Sequence, residues 1–262
     1  MTKRFIELLR KYRQLHLGDV INYSLMNEIL ISHHSTGIEG SSLTEEESRL
    51  LITEGITAKG KPLSDHNMVK DHQDILEGML VWAEKKRAVS PEMVRELNAG
   101  VMRTTGGIIN AVAGSYDSSK GDFRKSNVYV GDRYFMAYQK VESEVDKLCR
   151  KLDMELRNVR KTEDIYNLAF DAHFYLVSIH PFADGNGRTS RLLMNYILAY
   201  HDQPLAIIFK EDKQEYFGAL EASRSGNEVN LIPIRNFLYS QQEKYFFKEI
   251  QKYNKPSMEL GL

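Results

Sequence analysis

Two apolar helical stripes meet at a seven-residue loop, Pro181-Phe-Ala-Asp-Gly-Asn-Gly187, and no other stretch of the 262-residue chain constrains its folding as tightly. Over 164–179, Ile165, Leu168, Ala169, Ala172, Leu176 and Ile179 recur at helical spacing. The pattern stops at His180-Pro181, because proline disfavours helix in the residue before it. A second helix begins near Asn186 and carries Leu192, Leu193, Tyr196 and Ile197 as its buried stripe. The expected unit is a helix–loop–helix, set in a chain that is mainly α.

The same spacing predicts helices over most of the chain. The first holds Phe5, Leu8, Leu9 and Tyr12, and the next runs from Val20 to Ser35 with Ile21, Leu25, Ile29 and Leu30. Thr44 and Glu47 form a capping box, and Gly55 ends that segment. Helices are also expected over 65–85, from Pro91 to a cap at Gly100, and over 137–156, 213–225 and 234–253. Residues 114–135 differ, being rich in Gly, Ser and Asp. Within them Asn127-Val-Tyr-Val is β-prone and Gly131-Asp132 is a turn, so a small β-hairpin is expected.

Composition excludes several classes of function. The net charge of −1 gives no whole-molecule field for nucleic acid or anionic membrane. The single cysteine, Cys149, allows no internal disulfide and no multi-cysteine zinc site, and its helical setting reads as an inert thiol. The N-terminus is charged and amphipathic, unlike a secretory signal, and no run is long and apolar enough for a membrane span. The default expectation is a cytoplasmic protein.

The loop has a chemistry of its own. Gly185 and Gly187 lack a Cβ, so backbone N–H groups can converge on a ligand, and the helix that follows adds its N-terminal N–H groups and dipole. Such a cradle suits phosphate. Arg188 and Arg191, three residues apart on one helix face, add guanidinium forks and point to a polyphosphate. Asp184 supplies the hard oxygen that Mg²⁺ takes together with substrate phosphates. His180, with an ordinary pKa near neutrality, suits a general base acting on a hydroxyl. Glycine and asparagine in a turn are usually structural, but a plain turn needs neither this histidine and aspartate nor the two aligned arginines.

HPFADGNGRTSR (180–191) matches the Fic (Fido) signature HxFx(D/E)GNGRxxR at every position, and the chain is identified by it as resembling that family. The resemblance implies a mostly helical Fic fold and transfer of AMP from ATP to a protein hydroxyl. It implies His180 as the base, Asp184 as the Mg²⁺ ligand, Gly185, Asn186 and Gly187 as the anion hole, Arg188 and Arg191 on the outer phosphates, and Phe182 packed inward. GDFRKSNVYVG (121–131) looks like the family's hairpin flap, with Val130 and Gly131 beside the nucleotide and a target segment docked along 121–135. EYFGALEASRSGN (215–227) looks like the helix lining the base pocket, with Tyr216 as a contact, and Arg224 stands where some relatives carry asparagine.

SHHSTGIEGSS (32–42) contains Ser35-x-x-x-Glu39-Gly40, which by itself reads as a helix end capped by glycine. It also matches the Fic inhibitory motif, (S/T)xxxE(G/N), in the class with an N-terminal inhibitory helix, which implies that Glu39 pairs with Arg191. A charged pair ~4 Å apart at an effective dielectric near 20 gains about 4 kcal/mol before desolvation. The resemblance divides the chain into a helical region at 1–91, holding the inhibitory helix and motif at about 20–42, a catalytic core at 92–243 and a helical tail at 244–262. The expected activity is an autoinhibited, Mg²⁺-dependent protein adenylyltransferase. Alternatives are AMP removal at the same site, transfer of another nucleotide or a phosphoryl group, and a nucleotide-sensing module without catalysis. The phosphoryl-transferring Doc branch carries lysine where this chain has Gly187. Family members often dimerise, so a second copy stands beside ATP and the target protein among the expected partners. His173, His33 and His34 read as packed residues without metal geometry.

Overall fold

A computed structural model describes residues 1–253 apart from Asp132, Gly226 and Asn227 and the side chain of Val130. The helices are α1 (Lys3–Arg13), α2 (Tyr23–Ile38), α3 (Glu45–Glu54), α4 (Leu63–Glu84) and α5 (Pro91–Val101). Four short strands follow, β1 (Ile108–Ile109), β2 (Tyr116–Asp117), β3 (Tyr129–Val130) and β4 (Arg133–Tyr134). Then come α6 (Tyr138–Asn158), α7 (Thr162–Ile179), α8 (Asn186–Tyr200), α9 (Lys213–Arg224) and α10 (Ile232–Tyr253).

The helix–loop–helix is the centre of the molecule. α7 and α8 pack along each other, burying Phe170, Phe174, Leu192, Leu193, Tyr196 and Ile197 completely or nearly so. α4 and α5 cover α8, α6 covers α7, and α10 bridges α7, α9 and α1. α2 lies on α4 and touches α8, which puts the N-terminal region against the central loop. α10 runs unbroken through 243 and 244.

Local chemistry accounts for the helix ends. Thr44 accepts from Glu47 N–H while the Glu47 carboxylate accepts from Thr44 N–H, so the capping box forms as expected. Ser90 caps α5, with Pro91 at its first position. Gly55 ends α3 in the left-handed region at φ 69°. Gly100 departs from expectation. It lies inside α5, which continues to Val101, and a Cβ there would collide with Ile75 of α4. The glycine permits a close helix crossing and is not a cap. α2 also starts later and ends later than its apolar stripe suggested. A 3₁₀ turn at Leu17–Asp19 and a left-handed Asn22 precede it, leaving Ile21 exposed outside the helix.

The expected hairpin is present: β3 and β4 pair antiparallel, Tyr129 with Tyr134 and Val130 with Arg133, around Gly131 at φ 58°. A second antiparallel pair, β1 with β2, was not expected, since two-residue strands are too short to show alternation. Cys149 is buried in α6, and burial pushes its thiol up to about 12, which keeps it an unreactive thiol. Among the described residues, no helix is long and apolar enough to cross a membrane.

Candidate active site

α7 ends because His180 takes a left-handed conformation (φ 54°, ψ 58°) while its N–H still donates to the Leu176 carbonyl at 3.1 Å. The turn swings the imidazole off the helix and against Phe135, which follows β4. The two rings stack with centroids 3.9 Å apart at 24°. Nδ1 is buried and has no hydrogen-bond partner among the described residues. A proton on that nitrogen leaves the Nε2 lone pair available. Burial depresses the His180 pKa to about 4; Arg124 and Arg224 act the same way, against the Val177 carbonyl and Glu39. The imidazole is therefore neutral at neutral pH and able to accept a proton.

The loop beyond it is braced from inside. Phe182 is fully buried, 5.5 Å from the Phe123 ring centroid. The Asn186 carboxamide folds back on Phe182, accepting from its N–H and donating to its carbonyl, both at 3.0 Å. Gly185 stands at φ 78° before the first turn of α8. Behind it the buried Asn98 of α5 donates to the Asp184 carbonyl at 3.0 Å and to Thr189 Oγ1 at 3.1 Å. The first N–H groups of α8 have no acceptor within their own helix.

Charged groups surround that helix start. The Asp184 side chain is 70% exposed, with Oδ2 3.6 Å from Arg188 Nη2. Arg188 is buried and donates to the Val101 carbonyl at 3.0 Å, and burial draws its pKa down against the carboxylates of Asp184 and Glu39. Arg191, also buried, donates through Nε to Ser35 Oγ at 2.9 Å and through Nη2 to the Ser35 carbonyl at 2.8 Å and Glu39 Oε1 at 2.7 Å. Burial raises the Glu39 pKa, but Arg191, through charge and hydrogen bond, brings it below the ordinary carboxylate value. A Cβ on Gly187 would run into the Glu39 carboxylate and come within 2.9 Å of Arg191 Nη1. Glu39 thus lies over the backbone of the glycine turn, at the end of α2 just before Gly40 (φ 110°).

Residues 88–198 match the family model described as the Fic/DOC family. Residues 88–198 are a Fic/DOC domain. The matched stretch takes in the whole of 180–191 and leaves Glu39 outside it. The protein adenylyltransferase Fic of Drosophila melanogaster is 30% identical over 212 residues, which are 81% of this chain and 40% of that protein. The chain spans about two fifths of the length of the curated relatives it matches. A Fic domain containing signaling protein from Bacteroides thetaiotaomicron superposes with a TM-score of 0.81 at 22% identity, over 98% of this chain and 99% of that one. Fic-1 from C. elegans superposes at 0.73 and 22% identity, over 96% of this chain and 71% of that one. These two likenesses establish a shared fold.

In this chain His180, the glycine turn, Arg188, Arg191 and Glu39 come together, and the hairpin stands beside them through Phe135. Two further residues from the expected site are engaged within the protein. The Tyr216 ring is buried, with the hydroxyl 2.9 Å from Nε2 of His173 on α7. Arg224 donates to Ser178 Oγ at 3.0 Å and lies over the Phe174 ring, so its guanidinium is already engaged on α7. Val130 and Gly131 lie in the hairpin, where Gly131 is exposed. The hairpin is tied to α9 by Arg133 Nε donating to Glu221 Oε2 at 2.9 Å. Among the described residues no group of three or more His, Cys, Asp or Glu converges on a metal position. A single open carboxylate, Asp184, at the mouth of a phosphate cradle nevertheless fits Mg²⁺, which is commonly held by one carboxylate plus phosphate oxygens. Sequence reasoning missed Asn98, Arg124 and Phe135. Arg124 falls inside the segment compared with the flap (121–131) and Phe135 at the end of the expected docking stretch (121–135), whereas Asn98 lies in a helix with no chemical signature.

Proposed function

We propose that this chain transfers AMP from ATP to a hydroxyl side chain (Ser, Thr or Tyr) of another protein, and that Glu39 restrains the reaction. The observation that carries the reading is the shared position of Glu39, Gly187 and Arg191. The buried Arg191 guanidinium is held as one member of an ion pair, and removing the anion of such a pair leaves an uncompensated charge. Glu39 is that anion, in the space over the glycine turn. The outer phosphate of a nucleotide would be the anion in the same place, so the two are mutually exclusive.

With Glu39 withdrawn, the N–H groups of the first α8 turn and the guanidinium groups of Arg188 and Arg191 hold the phosphates. His180 takes the hydroxyl proton on Nε2 as the oxygen bonds to the α-phosphorus, and the bond from that phosphorus to the pyrophosphate oxygen breaks. Magnesium, held by Asp184 and phosphate oxygens, would offset the charge on the leaving pyrophosphate. The target segment lies along the flap at 121–135.

Labelled ATP and a cell lysate test this directly. Glu39→Gly should transfer label from the α position to protein strongly, with wild-type transfer low and the circular dichroism of the two proteins the same. His180→Ala in that background should abolish transfer and still bind Mg·ATP. Equal labelling with and without Glu39 removes the restraint, label from the γ position makes the enzyme a kinase, and no label on protein leaves only nucleotide binding. Loss of AMP from pre-labelled protein on adding the wild type would assign the reverse reaction to the same site.

A further inference from the structure

Arg124 is 2% exposed, and among the described residues its side chain meets no carboxylate. A buried guanidinium is costly, and its planar fork justifies that cost where several acceptors must be fixed at once. Here every contact is to a backbone carbonyl. Nε donates to His180 at 2.8 Å, Nη1 to Ser126 at 2.8 Å and Nη2 to Met136 at 2.6 Å, while the Arg124 N–H donates to the Pro181 carbonyl at 3.0 Å. Ser126 leads into the hairpin and Met136 leads out of it. One side chain therefore fastens both feet of the flap to the backbone of His180.

Phe135 is the second link. Its N–H donates to the Val128 carbonyl at 3.2 Å, so it continues the hairpin pairing, and its ring covers the His180 imidazole. Side chains alternate along a strand, and a slip of one residue in the hairpin would turn Phe135 away from the imidazole. A hairpin held at both feet cannot make that slip without breaking the Arg124 bonds.

We propose that Arg124 and Phe135 are positioning residues that make the flap part of the general base: Arg124 fixes the hairpin in register with His180, and Phe135 holds the imidazole plane so that a hydroxyl on a flap-bound segment reaches Nε2. This rests on the AMP-transfer reading above and adds the device that couples target docking to the base. The charged groups that bear on His180 are Arg124 ahead of β3, Arg224 of α9 and Glu39 at the C-cap of α2.

The test uses the full chain carrying Glu39→Gly, alone and with Phe135→Ala, Phe135→Leu or Arg124→Lys. Phe135→Ala should lower kcat for protein labelling about tenfold or more while ATP affinity stays within about twofold, because misplacement of a reacting group costs rate and not nucleotide binding. Its acid limb should rise by about one pH unit as water reaches the ring. Phe135→Leu, which keeps an apolar cover, should restore part of the rate. Arg124→Lys keeps the charge and loses the fork, so it should behave as Phe135→Ala does. A Phe135→Ala enzyme with the parent's kcat and pH profile overturns the inference. Should the Glu39→Gly parent label no protein at all, the functional reading has failed. NMR of the labelled His180 ring then decides alone, since titration coincident in the parent and Phe135→Ala proteins also overturns it.

Discussion

Asn98 carries no charge and touches no reacting group, yet two positions of the loop hang on its carboxamide. It donates to the Asp184 carbonyl and the Thr189 hydroxyl from within the core, and a Cβ on Gly185 would come within 2.8 Å of its Nδ2. Asn98→Ala removes the donor from the buried Thr189 hydroxyl and the part-buried Asp184 carbonyl, at a cost of about 1–3 kcal/mol. The melting temperature should fall by roughly 2–12 °C, at about 2–4 °C per kcal/mol for a protein of this size. AMP transfer in the Glu39→Gly background should fall as well, with His180 and both arginines intact; calorimetry and α-labelled ATP check the two halves. His180, Asp184, Arg188 and Arg191 were legible in the sequence because the chemistry of the loop is contiguous over 180–191. Asn98 was not, being 86 residues from the carbonyl it holds and marked by no charge or spacing.

At the scale of the element, α2 was read as an apolar stripe, and its buried face is instead largely polar. Ser32, His33, His34, Ser35 and Thr36 are all buried. Ser32 Oγ lies 3.0 Å from His72 Nδ1 and donates to Gln73 Oε1 at 3.0 Å, binding α2 to α4. His34 Nδ1 accepts from Lys210 N–H at 3.2 Å, binding it to the approach to α9. Hydrophobic periodicity cannot reveal a face built this way, which explains why the helix limits were displaced while the Ser35-x-x-x-Glu39 spacing was still readable. The arrangement predicts that Glu39 can be released without being touched. Ser32→Ala strips a partner from two buried groups, at about 1–3 kcal/mol, on the α2–α4 contact alone. Basal AMP transfer should rise several-fold, and hydrogen exchange should quicken over 23–38 but not over α7 and α8. Enhanced exchange with unchanged transfer would separate the seating of α2 from restraint of the site.

Over the whole molecule, the helical architecture and the flap were legible because each long helix declares itself through spacing and caps; the β1–β2 pair and the α4–α5 crossing at Gly100 depend on partners distant in sequence. The pH response is likewise hidden until the histidines are placed. Burial depresses His33 and His180 to about 4, and His34, His72 and His173 to about 3. Each has a folded pKa below its unfolded value of about 6.5, so the unfolded chain binds more protons as the pH falls below that value. The stabilisation is full above about pH 6.5 and is lost progressively as the pH falls towards the folded values, each histidine contributing about 1.4 kcal/mol per pH unit within the window. Glu28 opposes them. Burial, with Glu77 nearby, raises it to about 7, so the folded state gains a proton there first. Five histidines outweigh one carboxyl, and the net loss from pH 7 to pH 5 is of order 5 kcal/mol. The melting temperature should therefore drop by roughly 10–20 °C between those pH values, by calorimetry at constant ionic strength. His72→Gln removes one of the five groups and should make that drop shallower even if it lowers the melting temperature at pH 7; a melting temperature level from pH 7 to pH 5 would mean that these imidazoles are not held neutral by the fold.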